Sequence, residues 1–410
     1  MPKLRFKDSG RREFPEWINQ RIGEVSIKVI SGGTPDTNNA RYWNGNINWL
    51  TPKEMNSKYV KSSLRKISEL GYQKSSAKLL PKGTVILTTR ASIGLCCIQN
   101  TDSSFTTNQG FQSILFNPEK VYSEYGYYFL IRDKTQRKMK QLASGSTFLE
   151  LSPKNLKKLN IPVPSLPEQQ KIADFLSAYD RQIDIQSQRV EAMKVRKKGL
   201  LQKIFSREIR FKDDQGKDYP AWKEIKLGSI VHRVTRKNRN LITKRPLTIS
   251  AELGLIDQEE FFSKKIASDN LSNYYLLHKG EFAFNRSSAT GYPFGAIKRL
   301  NRYESGAIST LYICFSVDNS DYSDWLQHFF ESTYWHKEAY KVCCEGARNH
   351  GLLNISVDDF FSMKLYLPTL PEQQKIADFL TAIDTQIEVE EKRLETMKTI
   401  KKGLLQQMFI

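Results

Sequence analysis

The sequence predicts an α+β protein built as two similar halves, each a mixed α/β domain followed by one long helix. Residues 166–205 and 370–409 are two copies of one segment, identical at 26 of 40 positions. A weaker copy relates residues 5–17 to residues 210–222, so the repeat extends along the whole chain. The predicted boundaries are a first domain over 1–164, a helix over 165–206, a second domain over 207–368 and a helix over 369–410.

The first domain alternates strand-like runs with polar loops. Residues 84–89 are rich in β-branched side chains and follow a turn at 81–83, and residues 112–116 form another strand-like run. A helix is predicted over 124–142, and the segment 159–164 closes the domain. This order of elements indicates a mixed α/β domain with polar loops after its strands.

The helix over 165–206 carries a single apolar seam. Apolar side chains recur with the 4-3-4-3 spacing of a coiled coil, interrupted only at Gln186 and Lys197. Ser165 and Glu168 have the spacing of a capping box at the start of the helix. A 40-residue helix is roughly 60 Å long at about 1.5 Å per residue. Because a lone helix with one apolar seam needs a partner, we expect it to pair with the other copy.

The second domain keeps the frame of the first and changes its loops. Lys279 and Gly280 take the place of Lys82 and Gly83 at the start of a strand, and little of the sequence between such landmarks can be aligned. Trp17 and Trp222 occupy equivalent positions in the weaker copy and are expected to be structural anchors. The two domains have diverged, whereas the two helices are nearly identical. We therefore expect the domains to recognise different targets and the helices to have one structural role in common.

The helix over 369–410 repeats the seam, with interruptions at Glu390 and Lys401 and a second capping-box pair at Thr369 and Glu372. The polar interruptions of both seams could set the register of the pair or contact a partner. The simpler interpretation is that they are tolerated positions facing solvent.

Net charge is the strongest signal in the composition. The chain carries +19, and residues 1–165 hold 26 basic and 12 acidic side chains. Such an excess is typical of proteins with a polyanionic partner, most often nucleic acid. The chain has no apolar run long enough to cross a membrane and no signal-peptide pattern, so a cytoplasmic protein is expected. Its five cysteines lack the spacing of a disulfide framework or a zinc site and are expected to be reduced.

The catalytic motifs of enzymes that act on DNA are missing from the sequence. Asn117 begins the nearest match to the Asn-Pro-Pro-aromatic loop of adenine methyltransferases, but the second proline and the aromatic residue do not follow. Gly216 and Lys217 lack the other residues of a phosphate-binding loop. The five histidines have no metal-ligand spacing. We therefore expect no catalytic residue, metal or cofactor in this chain.

The remaining pattern suits DNA recognition. Arg and Lys read guanine edges, Asn and Gln read adenine, and hydroxyl and basic groups hold phosphates. These residue types cluster in loops after strands and in one basic patch of the second domain. For any single loop an ordinary solvated turn is about as probable, and for Arg90 and Arg286, which we place at corresponding positions, the alternative is a surface salt bridge. The candidate DNA-binding residues are Thr34, Arg90, Ser92, Thr107, Asn108, Gln109, Ser146, Thr147, Arg236, Lys237, Arg239, Arg286, Ser287, Ser288, Arg348 and Asn349.

The doubled Leu-Pro-Glu-Gln-Gln-Lys-Ile-Ala motif, with Ser-Gly-Gly-Thr-Pro at 31–35 and Thr-Asn-Gln-Gly-Phe at 107–111, closely resembles the specificity subunit of type I restriction-modification systems. The resemblance covers essentially the whole chain. It implies two target-recognition domains, each reading one part of a split DNA target, and two conserved helices packed as an antiparallel coiled coil. The candidate partner contacts at the helix starts are Gln169, Gln170, Gln373 and Gln374.

The same resemblance implies a non-catalytic subunit that reads a bipartite, asymmetric target in double-stranded DNA. Its implied partners are DNA adenine methyltransferase (modification) subunits, two in number, and a restriction subunit that is a motor and nuclease. S-adenosylmethionine would then belong to the methyltransferase, and ATP and Mg ions to the restriction subunit. Two alternatives stay open: the specificity arm of a single-chain restriction-modification enzyme, and a coiled-coil scaffold that joins two protein-binding domains.

Overall fold

The computed structural model describes residues 2–145, 149–251, 253–262, 270–288, 291–317, 319–342, 353 and 355–409. The chain divides into two compact units, one formed by Met1–Ser187 with Lys392–Ile410 and the other by Gln188–Glu391. Each unit therefore includes one part of each long helix, which the predicted boundaries assigned to separate segments.

The first unit holds mixed strands and helices. Its strands are β1 (Ile18–Arg21), β2 (Ser26–Ser31), β3 (Trp43–Leu50), β4 (Tyr59–Val60), β5 (Arg65–Ile67), β6 (Val85–Thr88), β7 (Cys96–Gln99), β8 (Phe105–Thr107), β9 (Phe111–Phe116) and β10 (Asn160–Val163). Its helices are α1 (Ile22–Val25), α2 (Glu69–Gln73), α3 (Ser123–Ile131), α4 (Asp133–Leu142), α5 (Pro153–Lys157) and the start of α6 (Leu166–Phe205), with 3-10 turns at Ala40–Tyr42 and Pro52–Glu54.

The central sheet of the first unit has the strand order β2-β9-β6-β7-β4, and its pairs are antiparallel except for the parallel pair β4 and β7. A second sheet has the order β5-β3-β8, and β1 pairs with β10. The predicted strands at 84–89 and 112–116 are thus neighbours, as β6 and β9, in the middle of the sheet.

The second unit repeats this frame with shorter sheets. Its strands are β11 (Lys223–Lys226), β12 (Val231–Arg233), β13 (Leu247–Ser250), β14 (Gly254–Asp257), β15 (Tyr275–His278), β16 (Phe282–Asn285), β17 (Ala296–Arg299), β18 (Ser305–Ile308), β19 (Ile313–Val317) and β20 (Lys364–Leu367). Its helices are α7 (Gln258–Phe262), α8 (Ser320–Glu331), α9 (His336–Val342), α10 (Val357–Ser362) and α11 (Leu370–Gln407), which ends in the first unit, with 3-10 turns at Leu227–Ser229 and Arg239–Leu241.

The sheet order β12-β19-β16-β17 matches β2-β9-β6-β7, and the pair β11 and β20 matches β1 and β10. The pairs β13 with β14 and β15 with β18 complete the second unit. This confirms the predicted α+β class and the internal repeat.

One predicted helix is interrupted. The single helix expected over 124–142 is two helices, α3 and α4, because Arg132 between them has extended backbone angles. The Arg132 side chain is 7% exposed and donates a hydrogen bond to the Thr135 hydroxyl at 2.8 Å. The break lets α4 leave the line of α3, and α4 carries most of its basic side chains towards solvent.

The two long helices run antiparallel within each unit. In the second unit Arg189 pairs with Glu390 at 2.9 Å and Lys197 pairs with Asp384 at 2.6 Å. Residues later in α6 therefore contact residues earlier in α11. In the first unit Lys401 pairs with Asp180 at 2.5 Å, and Ile172 and Leu176 share a core with Leu405 and Met408. The predicted antiparallel pairing is therefore confirmed in each unit.

The polar interruptions of the seam are internal. The side chains of Lys197 and Lys401 are 12% and 20% exposed, and each forms an ion pair with an aspartate of the other helix. Gln186 is 6% exposed, and Glu390 accepts from Arg189. The solvent-facing interpretation is wrong, because the ion pairs allow charged groups to lie inside the helix pair and to fix its register.

The start of each helix is held by a buried carboxylate. The Arg5 guanidinium donates two hydrogen bonds to Glu168 at 2.9 and 2.8 Å, and the Trp17 indole N–H donates to it at 3.1 Å. In the second unit Arg210 and Trp222 bond Glu372 in the same way, at 2.7, 2.9 and 3.0 Å. Trp17 and Trp222 are thus confirmed as structural anchors.

This arrangement contradicts the predicted capping boxes. Because Glu168 and Glu372 are already bonded by arginine and tryptophan, they do not reach back to the helix start. The hydroxyls of Ser165 and Thr369 make no hydrogen bond among the described residues. The sequence spacing was right for a capping box, but a long-range contact with a stronger donor replaces it.

The end of each long helix completes a core. Phe409 stacks on Tyr125 at 5.1 Å between ring centroids and lies 6.4 Å from Trp17. Phe205 packs against Trp325 and Phe329 in the second unit, at 5.6 and 5.4 Å. The repeated helix is therefore part of both cores.

Among the described residues, Cys96, Cys97 and Cys314 are free thiols, and burial raises the pKa of Cys97 and of Cys314 to about 12. Cys343 and Cys344 lie outside the described residues. No helix in the described ranges is long and apolar enough to span a membrane.

Candidate nucleic-acid interface

Three loops of the first unit meet at the ends of its strands. The Gly33 amide donates to the Thr107 carbonyl at 2.8 Å, and the Thr34 hydroxyl donates to the Gln109 side chain. Gly32 packs so closely that an added Cβ would lie 1.9 Å from the Asn108 carbonyl oxygen. The Ser-Gly-Gly-Thr-Pro loop and the Asn108 loop are therefore one surface, and glycine is required where they touch.

The Arg90 loop joins this surface from β6. The Thr89 amide donates to the Gly110 carbonyl at 2.8 Å, which ties the loop after β6 to the loop before β9. The Arg90 guanidinium pairs with Glu150 at 2.9 Å but keeps 46% of its side chain exposed. Ser92 is exposed, and its carbonyl accepts from the Thr88 hydroxyl. The structure thus gathers Thr34, Arg90, Ser92, Asn108 and Gln109 at one edge.

Thr107 does not belong with these exposed candidates. Its side chain is 1% exposed, and its hydroxyl makes no hydrogen bond among the described residues. The prediction that Thr107 contacts DNA is wrong for its side chain, because the residue is the last of β8 and points into the packed interior. Its carbonyl instead holds Gly33 in place.

The equivalent loop of the second unit begins at Ser309. The Gly110 amide bonds the Asn108 side chain at 2.9 Å, and the Leu311 amide bonds the Ser309 hydroxyl at 3.4 Å. Ser309, Thr310 and Leu311 therefore take the places of Asn108, Gln109 and Gly110. Residue-type reasoning missed this loop because it has no Arg, Asn or Gln, although its position directly before an apolar strand was a usable signal.

Arg90 and Arg286 are not at corresponding positions. Val85 in β6 pairs with Ile98 and Ile114, and Phe282 in β16 pairs with Arg299 and Phe315. In this alignment Arg286 is equivalent to Thr89, and Ser287 is equivalent to Arg90. The assignment made from sequence is therefore displaced by one residue, because two arginines that follow strands look alike until the strand ends are fixed by pairing.

Arg286 is held inside its loop. Its guanidinium donates to the carbonyls of Ile355 at 3.1 Å and Leu311 at 3.2 Å, and its own carbonyl accepts from the Leu353 amide at 2.8 Å. Ser287 and Ser288, which follow it, are exposed. The arginine thus positions the Leu311 loop, and the two serines are the accessible groups.

The basic patch of the second domain is partly neutralised. Arg236 forms an ion pair with Glu281. The Lys237 ammonium donates to the Asn273 carbonyl at 2.9 Å and lies 4.5 Å from the centre of the Tyr275 ring. Arg239 is exposed in a 3-10 turn. The candidates Ser146, Thr147, Arg348 and Asn349 lie outside the described residues.

Of the four candidate partner contacts, two are buried. Gln169 is 0% exposed and bonds the backbone of Tyr122, Lys120 and Pro164, and Gln373 is 1% exposed and donates to the Pro368 carbonyl at 2.7 Å. Their assignment as partner contacts is wrong, because both hold the helix start against their own unit.

The other two glutamines face outwards. Gln170 and Gln374 each donate to an aspartate one turn later, Asp174 and Asp378, at 2.8 Å. They remain candidates for contact with a partner.

A cluster of titratable groups in the second unit brings together side chains that are distant in sequence. Ligand-type atoms of His328, Glu331 and Asp384 lie within 4.8 Å of one another, although no spacing of histidines indicated it. The Lys197 ammonium bonds both carboxylates, at 2.5 and 2.6 Å. Burial by itself would raise the pKa of Glu331, but the His328 ring and the Lys197 ammonium lower it to about 2. The lysine thus occupies the position between the two carboxylates that a cation would take.

Both halves of the chain match one known family. Residues 15–194 and 220–399 each match the family described as "Type I restriction modification DNA specificity domain". The chain is 35% identical over 239 residues to the type I restriction enzyme MjaIX specificity subunit of Methanocaldococcus jannaschii. The aligned region covers 55% of this chain and 54% of that protein. It is 30% identical over 168 residues to a type I restriction enzyme specificity subunit of Escherichia coli, covering 40% and 41%. The chain thus spans about half the length of the curated relatives it matches.

The fold also has a solved counterpart. The crystal structure of a type I restriction-modification S subunit from M. genitalium matches 100% of this chain and 99% of its own with a TM-score of 0.53, at 18% identity. At that identity the match shows a shared fold.

Proposed function

Since the chain belongs to the type I restriction modification DNA specificity family, we propose that it is the non-catalytic subunit that reads the DNA target of such a system. The target is bipartite and asymmetric, and the chain directs methyltransferase and restriction subunits to it. Catalysis, with S-adenosylmethionine in the methyltransferase and ATP and Mg ions in the restriction subunit, belongs to these partners, in the cytoplasm.

The observation that carries the proposal is that the two units share one strand order but present different loop residues at the ends of equivalent strands. Equivalent loops present Asn108 and Gln109 in the first unit and Ser309 and Thr310 in the second. Asparagine and glutamine can bond adenine edges bidentately, whereas Ser and Thr are less selective and Leu311, 73% exposed, can contact a thymine methyl group. Two such edges in one chain are suited to two different half-sites.

Two copies of the methyltransferase would dock on the repeated helices. Solvent-facing side chains recur in both copies: Phe175 and Phe379 are 38% and 39% exposed, beside the outward-facing Gln170 and Gln374. Each phenylalanine packs edge-on against a phenylalanine of its own unit, Phe6 or Phe211, at 5.6 and 5.5 Å. Identical exposed groups presented twice support a partner that binds twice.

Methylation mapping tests the proposal. Genomic DNA from a host that carries the partner genes would be mapped for methylated adenine with and without this chain. We expect one split sequence motif to be methylated only when the chain is present. The double variant Phe175→Ser with Phe379→Ser tests the docking surface, since it should fold but lose methylation by failing to recruit the partner. Identical maps with and without the wild-type chain would refute the proposal.

A further inference from the structure

The first unit contains a basic groove beside the candidate reading loops. The groove has a volume of about 440 Å³ and lies between α4 and the segment before β10. Its cationic lining residues are Arg132, Lys134, Arg137, Lys138 and Lys158. None of the residues that line it is acidic.

None of the described residues neutralises the exposed charges of the groove. Lys134, Arg137, Lys138 and Lys158 are exposed and have no ion-pair partner among the described residues. The acidic residue of α4, Asp133, is already paired with Lys402 at 3.0 Å. Like charges within one or two turns of a helix repel each other, so this arrangement costs stability unless an anion lies against it. The groove is therefore suited to a polyanion.

The described residues of the corresponding helix in the second unit do not show this feature. By element order α9 corresponds to α4, since each follows the helix packed on the sheet. In α9 the charges are mixed, and Lys341 pairs with Glu338. Among the described residues, the run of unpaired basic side chains on α4 thus has no counterpart on α9.

The end of α4 joins the candidate interface of its own unit. Leu142 lines the groove, and Ser144 shortly after it exchanges two backbone hydrogen bonds with Glu150, the ion-pair partner of Arg90. Gln136 of α4 donates from its side chain to the Gly94 carbonyl at 2.8 Å, in the loop that also carries Arg90 and Ser92. An added Cβ on Gly94 would lie 1.8 Å from the Gln136 oxygen, so α4 and this loop are in tight contact. Because α4 contacts the Gly94 loop and leads to Ser144 beside Glu150, the groove lies next to the candidate reading loops, and this position favours nucleic acid over an acidic protein as the occupant.

We propose that the α4 groove binds backbone phosphates of duplex DNA next to the part of the target read by the first unit. The inference rests on the proposed function and adds an interaction that holds DNA without reading its sequence. Long cationic side chains at exposed positions hold phosphates by charge, and this type of interaction positions a protein without specifying a base.

The test uses the full chain assembled with its methyltransferase partner and a double variant, Lys134→Gln with Lys138→Gln. Affinity would be measured for a duplex that contains the mapped target and for an unrelated duplex, over a range of salt concentrations. The matched control is Lys226→Gln with Lys337→Gln, two exposed lysines of the second unit without an ion-pair partner among the described residues. It removes the same net charge away from the groove.

If the groove binds phosphates, the α4 variant binds both duplexes roughly tenfold more weakly. The slope of log affinity against log salt becomes shallower by about 0.9 for each phosphate that the variant no longer neutralises, the methylated motif stays the same, and the control changes little. If DNA binding is weakened equally in the α4 variant and in the control, only net charge matters, and the proposal that the groove binds phosphates is overturned. An unchanged slope with intact specific methylation would reject the groove and leave the proposed function standing. Absence of specific methylation by the wild-type complex would reject both.

Discussion

Arg90 and Arg286 follow equivalent strands and have different surroundings. Arg90 is half-exposed and pairs with Glu150, a single carboxylate at the surface. The Arg286 guanidinium donates hydrogen bonds to two backbone carbonyls and thereby holds the neighbouring loop. A surface ion pair is easily exchanged for a phosphate or a base edge, whereas the carbonyls bonded by a half-buried guanidinium lose their donor when it is removed.

The two arginines should therefore respond differently to alanine. Arg90→Ala should leave the free energy of unfolding within about 0.5 kcal/mol of wild type and weaken DNA binding. Arg286→Ala should lower the free energy of unfolding by about 1–3 kcal/mol, because two carbonyls lose their donor. Chemical denaturation of both variants, followed by binding to the mapped target, would measure these effects. Equal stability of the two variants would contradict the assigned roles.

At the scale of elements, the long helices depend on ion pairs inside an apolar seam. Lys197 and Lys401 occupy equivalent positions, and each meets an equivalent aspartate, Asp384 or Asp180, on the antiparallel helix. The domain-specific partner differs: Glu331 completes the cluster in the second unit, whereas the Tyr128 hydroxyl bonds Asp180 at 2.6 Å in the first. The repeated pair sets the register, and the additional groups connect each helix pair to a shorter helix of its own unit, α8 or α3.

The cluster makes a prediction about pH. Glu331 has a pKa lowered from 4.5 to about 2, so its ionised form stabilises the fold above pH 4.5 and this stabilisation is lost as pH falls towards 2. Glu331→Gln should be less stable than wild type by about 2–3 kcal/mol at pH 7, and the difference should shrink between pH 4.5 and 2. Asp384, whose pKa burial raises, is present in both proteins. A difference in stability that stays constant across this range would contradict the account.

At the scale of the whole molecule, the repeat and the helix pattern could be predicted from sequence because each depends on periodicity alone. The helices α6 and α11 begin one residue after the predicted boundaries. Long-range contacts could not be predicted in this way. The bond from Arg5 to Glu168 joins residues far apart in sequence and overrides a local capping signal, and the burial of Gln169 follows from its contact with the backbone near Tyr122.

The candidate interface was predicted only in part for a related reason. Residue types pointed to Gln109 and Arg90, which do face outwards, but they could not separate Thr107, the end of a buried strand, from its neighbours. Nor could they identify the Ser309 loop, whose place is set by the pairing of β19 with β16. Side-chain chemistry suggests what a loop can bind, and strand register decides which loop is presented.

The claim that each unit reads its own part of a split target is tested most directly by methylation mapping of loop variants. One variant is Asn108→Ala with Gln109→Ala, and the other is Ser309→Ala with Thr310→Ala, each expressed with the methyltransferase partner. We predict that each variant relaxes or changes one part of the methylated motif and leaves the other part and the spacing between them intact. A map in which either variant alters both parts, or in which neither alters any, would contradict the account.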